Sequence, residues 1–240
     1  MLQNENDSLT PVRIIHIESA TEICSVALSV DTEVVTKKEV ADSRSHSRNL
    51  ILFVEDVIKR SGIDRNELSA VCFSAGPGSY TGLRIGASTA KGLAYSLRIP
   101  LISVPTLESI ALGAKSRHKE SQLFFCPMID ARRMEVFTAL YDSELHPVLP
   151  VSSQIVDDVF IKSILEKGNV VFCCNGVEKC RSIIAGFENA ICDLEPLSAA
   201  NMVLAAFKKY KAKDFEDTAY FEPFYLKEYI AAKSHVKGLQ

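Results

Sequence analysis

The chain has 240 residues, of which 47% are hydrophobic and 24% are charged. This length suits one or two domains, and this apolar fraction suffices for a sizeable core. The formal net charge of −3 and the pI of about 6.0 argue against a protein that binds nucleic acid through a basic face of its own. No apolar run approaches the roughly 18 residues of a membrane span, and the polar, acidic first residues are unlike a signal peptide.

The seven cysteines are an odd number and include no Cys-x-x-Cys pair. Most of them lie in apolar, strand-like runs, as small buried hydrophobic residues do. This usage is typical of a reduced compartment and unlike a disulfide framework. We therefore expect a cytoplasmic globular protein.

The first half of the chain predicts three strands, a helix, a strand, a second helix and a strand. In the first helix Leu50, Phe53, Val54 and Val57 recur at helical spacing, and Gly62 supplies a C-terminal stop. The predicted elements cover residues 13–17, 24–30, 33–36, 46–61, 70–73, 79–97 and 101–104.

The second half repeats this order of elements without repeating the sequence. Its predicted elements cover residues 124–130, 135–140, 147–151, 156–167, 170–174, 177–187, 191–192 and 198–209. Two β-β-β-α-β-α-β units in tandem predict a duplicated α/β fold with a cleft between two lobes. We place the N-terminal lobe at residues 1–104 and the C-terminal lobe at 105–240, with the C-terminal tail either staying there or returning to the first lobe.

The glycine-rich stretch 75–86, Ala-Gly-Pro-Gly-Ser-Tyr-Thr-Gly-Leu-Arg-Ile-Gly, joins an apolar strand to a helix. Free backbone N–H groups at such a helix start can hold an anion. The same glycines and proline can also form only a tight corner, and the stretch lacks the Lys-Ser/Thr ending of a P-loop. Both interpretations remain open at this stage.

The helix that follows carries Gly82, Gly86, Ala90 and Ala94 at successive i+4 positions. A ridge of small residues lets another backbone approach closely. Glycines in a helix cost about 1 kcal/mol each relative to alanine, so a packing reason is expected. We predict a partner surface on the first two helices, with coverage inside this chain as the alternative. Its residues are Leu50, Phe53, Val57, Gly82, Leu83, Gly86, Ala87, Ala90 and Ala94.

Few residues suggest catalysis by the chain itself. Glu18 and Asp130 end the first strands of the two lobes, where paired carboxylates could hold a cation for nucleotide hydrolysis or could simply cap turns. With Ser19 they are our candidates for a degenerate nucleotide cleft. No two of the five histidines lie within five residues of each other, so we expect no metal site, and His16 is expected in the core. No Gly-x-Ser-x-Gly elbow is present.

Several motifs together resemble the TsaB (YeaZ) family. The glycine signature with its helix is specific, and the other segments support it. The matching segments are residues 17–28, 46–50, 76–86 with 90–94, 129–132 and 223–226. The chain departs from the family pattern at Glu18, where many relatives carry Asp, and at Arg48, where an acidic residue is frequent.

The resemblance implies a duplicated actin/Hsp70/sugar-kinase-like (ribonuclease-H-like) fold. It also implies a non-catalytic part in making threonylcarbamoyladenosine beside the anticodon of tRNAs that read A-starting codons. In that family the first two helices contact a catalytic paralogue, TsaD, which holds the metal, and a small ATPase, TsaE, joins the pair. We accordingly expect a homodimer when the protein is alone, no cofactor beyond weak nucleotide binding, and tRNA contact through the complex.

Two rival functions and one surface feature stay open. The rivals are an independent ATP-dependent kinase or ATPase of the same fold, and a structural scaffold with no role in tRNA. The lysine-rich segment 208–213 is most simply a solvated helix end, with a minor contact to tRNA phosphates as the alternative.

Overall fold

The computed structural model of the protein describes residues 10–41 and 46–227. The side chains of His46 and Arg48 lie outside the described part. The five strands of the first sheet lie in the order β3-β2-β1-β4-β5. They are β1 (Arg13–Glu18), β2 (Ile23–Val30), β3 (Glu33–Ala41), β4 (Ala70–Ser74) and β5 (Leu101–Val104). β1, β2 and β3 form an antiparallel meander, while β4 pairs parallel to both β1 and β5.

The second sheet has the same topology, because its order β10-β9-β6-β7-β8 is that of the first sheet read from the other edge. Its strands are β6 (Leu123–Asp130), β7 (Glu135–Tyr141), β8 (Pro147–Ile155), β9 (Asn169–Cys173) and β10 (Ala190–Asp193). The predicted duplicated α/β fold with two lobes is confirmed.

In residues 10–41 and 46–227, six α-helices cover the sheets. They are α1 (His46–Ser61), α2 (Tyr80–Leu97), α3 (Thr106–Arg117), α4 (Asp158–Leu165), α5 (Arg181–Ile184) and α6 (Val203–Ala212), with 3₁₀ turns at Arg65–Glu67, Asn175–Cys180 and Ala199–Met202. The predicted helix at 177–187 is corrected to a 3₁₀ turn followed by a single turn of α-helix. The helix α3 was not predicted, because it starts after Pro105 without a side-chain cap and so has no clear N-terminal signal.

The helices form outer and inner layers around the two sheets. α1 and α2 cover the outer face of the first sheet, in one cluster with Phe73 and Leu101. α3 packs on one face of the second sheet and α4 on the other. α6 and the 3₁₀ turn before it cover the inner face of the first sheet beside Ile14 and Ile102. Among the described residues, none of the helices combines the length and apolarity that crossing a bilayer requires.

The segment after β10 therefore returns to the first lobe. Glu216 bridges to Leu101 of the edge strand β5. The Phe221 ring packs edge-on against Phe73 with 5.2 Å between ring centroids. These contacts place residues from both predicted lobes around one sheet.

The buried histidine of the first lobe has one hydrogen-bond partner. His16 is fully buried, and its Nε2 lies 2.9 Å from the Ser29 hydroxyl. Burial lowers the pKa of His16 to about 3, so the ring is neutral in the folded protein. The expected core histidine is confirmed. All seven cysteines are free, and six of them are buried.

Candidate functional site

Several backbone N–H groups of the glycine-rich corner between β4 and α2 donate hydrogen bonds within the chain. The N–H of Gly76 donates to Thr106 Oγ1 at 2.9 Å, and that of Ser79 donates to the carbonyl oxygen of Ala20 at 2.7 Å. At the helix start the N–H of Gly82 donates to Ser79 Oγ at 3.3 Å. Groups that already have partners are not free to hold an anion, so the structure favours the tight-corner interpretation.

Close backbone approach explains the glycines of this corner. A Cβ atom on Gly76 would lie 2.4 Å from the carbonyl oxygen of Phe224, and one on Gly78 would lie 2.5 Å from that of Ala20. Gly76 also has φ of +105°, which a side chain disfavours. The corner is therefore the point where the β1–β2 turn, the start of α3 and the returning C-terminal segment meet.

The ridge of small residues on α2 faces the β1–β2 turn of its own chain. A Cβ on Gly82 would lie 2.0 Å from the carbonyl oxygen of Ser19, and one on Gly86 would lie 2.3 Å from Ser19 Oγ. Ser19 Oγ donates to the Gly82 carbonyl oxygen at 2.9 Å. The expected packing reason for these glycines holds, but the partner they accommodate is this chain's own turn.

The nine predicted partner-interface positions are covered inside this chain, which is the alternative left open by the sequence, and their role in a partner contact stays a prediction. Gly82 and Gly86 lie against the β1–β2 turn, the other seven positions carry buried side chains, and none of the nine is more than slightly exposed. They are Leu50, Phe53, Val57, Gly82, Leu83, Gly86, Ala87, Ala90 and Ala94. Helical periodicity identifies the apolar side of each helix but does not say which element covers it.

The opposite side of the same two helices exposes other apolar groups. Ile51 and Leu52 of α1 are 43% and 54% exposed, and Tyr95 of α2 is 81% exposed. A Cβ on Gly92 would have no atom within 4 Å, so the helix surface is open there. α1 and α2 contact each other along the sheet. We call the surface formed by Ile51, Leu52, Gly92 and Tyr95 the outer helix face.

Glu18, the first carboxylate of the predicted cleft, is sealed inside the first lobe. Its side chain is fully buried, and its Oε1 accepts the N–H of Ala20 at 2.6 Å. Its Oε2 has no hydrogen-bond partner within the described part of the chain. Burial raises the pKa of Glu18 to about 7, although the Ala20 N–H acts in the opposite direction. Ser19, the neighbouring candidate, is buried under α2.

Asp130, the equivalent residue of β6, lies in a different environment. It is exposed, and its Oδ1 lies 2.5 Å from Lys179 Nζ and accepts the N–H of Arg132 at 2.6 Å. Among residues 10–41 and 46–227, no interaction joins Asp130 to Glu18. The same residues contain no group of three or more His, Cys, Asp or Glu side chains that could hold a metal ion. This geometry does not support the predicted cation pair.

A separate cavity of about 340 Å³ lies between β3, the end of α3 and the loop before α6. Three of its four charged lining groups, Lys37, Glu39 and Arg117, have ion-pair partners within the chain. Lys37 Nζ lies 2.8 Å from Glu39 Oε2, and Arg117 lies 2.9 Å from the buried carboxylate of Asp193. The hydroxyl of Ser198 also donates to Glu39. Since these charges are satisfied within the chain, they do not point to a ligand.

Three residues that build the corner were missed by sequence reasoning. Thr106, Ala20 and Phe224 contact the glycines across long separations in the chain. No local pattern marks such residues, because their neighbours in sequence have ordinary strand, helix or loop composition. Only the excess of glycine at 76–86 indicates that something approaches closely.

Comparison with known proteins adds to this geometry. The family model described as TsaD, tRNA N6-adenosine threonylcarbamoyltransferase, matches residues 39–231. A protein of Escherichia coli (strain K12) named tRNA threonylcarbamoyladenosine biosynthesis protein TsaB is 38% identical over 133 residues, which are 55% of this chain and 56% of that protein. The protein of the same name from Bacillus subtilis (strain 168) is 32% identical over 161 residues, 66% of this chain and 68% of that protein. The chain thus matches little more than half the length of the first relative.

A third relative, named tRNA N6-adenosine threonylcarbamoyltransferase, comes from Porphyromonas gingivalis (strain ATCC BAA-308 / W83). It is 34% identical over 125 residues, which are 48% of this chain and 35% of that protein. Among solved structures, YeaZ from Pseudomonas aeruginosa superposes with a TM-score of 0.73 at 20% identity and covers 90% of this chain and 100% of that chain. At this identity the superposition shows the fold alone.

The fold defines a two-lobed α/β protein of the actin-like class. In its first lobe the glycine-rich corner packs against the β1–β2 turn, the start of α3 and the returning C-terminal segment. The family model matches residues 39–231, and the B. subtilis relative is 32% identical and covered over 68% of its length, so together they identify the family within this class. The chain belongs to the TsaB (YeaZ) family, which confirms the resemblance drawn from its glycine signature.

Proposed function

We propose that this chain is an accessory subunit in threonylcarbamoylation of the adenosine next to the anticodon, in tRNAs that read A-starting codons. It acts by binding and activating a catalytic paralogue of the TsaD type. The observation that carries the proposal is membership of the TsaB family, whose curated relatives are named for this biosynthesis. The likeness to a protein named as the transferase supports a related paralogue as the partner.

The outer helix face is the surface that we assign to this pairing. Ile51, Leu52 and Tyr95 expose apolar area on adjacent helices, and such patches commonly mark protein contacts. The open surface at Gly92 allows a partner's side chain to approach the α2 backbone. The same face accounts for a homodimer in the absence of the paralogue. A small ATPase of the TsaE type completes the proposed assembly.

The proposal assigns the transfer chemistry to the paralogue. Glu18 is buried and favours its neutral form near pH 7, while Asp130 is engaged by Lys179. Neither carboxylate, as placed, offers an open anionic ligand to a nucleotide-bound cation. No observation favours the rival of an independent kinase, and this proposal includes no cofactor for the chain itself.

The pairing is tested by light-scattering chromatography of the protein, alone and mixed with the TsaD-type paralogue from the same source. Leu52→Arg places a charge on the outer helix face and should abolish the mixed complex. Val159→Arg is the matched control, because Val159 is an exposed valine, 76% accessible, on α4 of the other lobe. Pairing by the Leu52 variant at wild-type strength would refute the assigned surface.

The cellular role is tested separately by nucleoside analysis of bulk tRNA after depletion of the protein. Loss of threonylcarbamoyladenosine, restored by wild type and by the Val159 variant, is the expected result. An unchanged nucleoside profile would instead favour the scaffold without a role in tRNA. Nucleotide turnover by the isolated protein would favour the kinase.

A further inference from the structure

The two lobes carry equivalent hairpins whose tips differ in exposure. In the first lobe the β1–β2 turn is buried, with Ser19 and Ala20 at 3% and 1% exposure under α2. The second lobe has only the 3₁₀ turn Asn175–Cys180 and the short α5 where α2 would lie. The β6–β7 turn is consequently open, and its residues 132–134 are all exposed. We call Arg132, Arg133 and Met134 the open tip.

The backbone of the open tip is unusual for its sequence. Arg132 and Arg133 have φ values of +73° and +51°, a region where glycine and asparagine are favoured. The conformation is held firmly, since the N–H of Arg132 donates to Asp130 Oδ1 at 2.6 Å and the N–H of Val156 donates to the Met134 carbonyl oxygen at 2.7 Å. Two consecutive arginines at positions that disfavour them indicate that their side chains have a use.

The charges around the open tip leave both guanidinium groups available. The nearby carboxylates have other partners, because Asp130 pairs with Lys179, Glu135 pairs with Lys227, and Glu22 accepts a hydrogen bond from Asn175. Among ion pairs of the described residues, none involves Arg132 or Arg133. Four cations (Arg132, Arg133, Lys179 and Lys227) thus lie near three carboxylates (Asp130, Glu135 and Glu22), in a chain whose net charge is −3. The open tip is therefore a local positive excess.

We infer that the open tip binds the phosphate backbone of tRNA, through Arg132 and Arg133. This inference rests on the proposed function, which supplies an RNA substrate. Guanidinium groups bind phosphate oxygens through paired hydrogen bonds, and consecutive arginines match a chain of successive phosphates. A polyanion can approach an acidic chain only where positive charge is locally in excess, as at the open tip. RNA is favoured over an acidic protein because the proposed function supplies an RNA, whose successive phosphates match the consecutive arginines.

The test variant is Arg132→Asn with Arg133→Asn in the full chain, mixed with the TsaD-type paralogue. Asparagine accepts the left-handed conformation, so the melting temperature should stay the same or rise. The probe is a fluorescently labelled transcript of a tRNA that reads an A-starting codon, titrated at several salt concentrations. We expect affinity to fall at least about tenfold and the slope of log affinity against log salt to shrink by about 2.

The matched control is Arg65→Asn, since Arg65 is an exposed arginine in the first lobe and has no ion pair among the described residues. It should leave affinity and slope unchanged. Light scattering of the same samples reports pairing with the paralogue, so a failure of the proposed function is seen separately. Unchanged affinity and slope in the double variant would overturn the inference. Lost pairing with intact RNA affinity would overturn it too, because the open tip would then be a protein contact.

Discussion

The hydroxyl of Ser19 donates a hydrogen bond to the carbonyl oxygen of Gly82 at 2.9 Å, and the Ser19 carbonyl oxygen occupies the space where a Gly82 side chain would begin. This contact fixes α2 over the end of β1. It is built into the monomer, so substitutions on this ridge report on folding before they report on partners.

Gly82→Ala should destabilise the protein by about 1–3 kcal/mol or more, because its Cβ would lie 2.0 Å from backbone that cannot easily move. Urea denaturation followed by circular dichroism measures this loss. Gly92→Ala, in the same helix, meets no atom within 4 Å and should stabilise by up to about 1 kcal/mol. Equal effects at the two positions would contradict the assigned packing.

Stability should fall as pH rises because of Glu18. Its folded-state pKa is raised to about 7 from an ordinary value of 4.5, so the folded chain binds the proton more tightly than the unfolded chain. Its contribution is therefore full below pH 4.5 and is lost as pH rises to 7. Glutamine does not ionise, so Glu18→Gln lacks this loss of stability. The free energy of unfolding of the variant, relative to wild type, should therefore increase between pH 5 and 8 by an amount on the order of a few kcal/mol.

Denaturation of both proteins at several pH values isolates the Glu18 effect. The buried His16, whose pKa is lowered to about 3, makes stability rise with pH between 3 and 6.5. It does so equally in both proteins and cancels in their difference. A difference that does not change with pH would mean that Glu18 is ionised in the folded state.

Thr106→Val tests the corner from the opposite side. The Thr106 hydroxyl accepts the Gly76 N–H at 2.9 Å and lies 2.7 Å from the Ser74 hydroxyl, all of them buried. Valine keeps the shape and leaves these groups unpaired, at a cost of about 1–3 kcal/mol. Thr89→Val is the control, since its half-buried hydroxyl bonds only to the Ile85 carbonyl of its own helix. Similar melting temperatures for the two variants would argue against the corner network.

Asp193→Asn should destabilise the link between α3 and β10. The Oδ2 of this buried carboxylate lies 3.0 Å from Arg117 Nε and 3.0 Å from His118 Nε2. An amide would place a donor against those donors, so we expect a loss of about 2–3 kcal/mol in thermal unfolding. Asp214→Asn, at an exposed pair with Lys209, should change stability by less than about 0.5 kcal/mol. Equal losses of stability in the two variants would refute a structural role for Asp193.

Element order was predictable because alternating and helical spacings differ sharply, and both lobes show the same succession. Gly82 and Gly86 were predicted to form a packing ridge because small residues recur every four positions along α2. Their partner was not predictable, since Ser19 lies 63 residues from Gly82 and has no distinctive neighbours. α3 was missed although Leu107, Ile110 and Ala114 follow a helical period, because a proline precedes it and no capping side chain marks its start. The spacing of apolar residues predicts which side of a helix is buried, whereas tertiary contacts determine which element packs against that side.

The return of residues 199–224 to the first sheet sets the order in which the molecule can be completed during translation. The first lobe is synthesised first. Until the ribosome has passed codons 199–224, the inner face of its sheet lacks α6 and Phe73 on the outer face lacks its contact with Phe221. The first lobe therefore acquires its last helix, α6, after all strands of the second lobe have been synthesised. A nascent chain ending before residue 199 would leave the apolar inner face of the first sheet uncovered, so the first lobe cannot be completed before the second lobe has been synthesised.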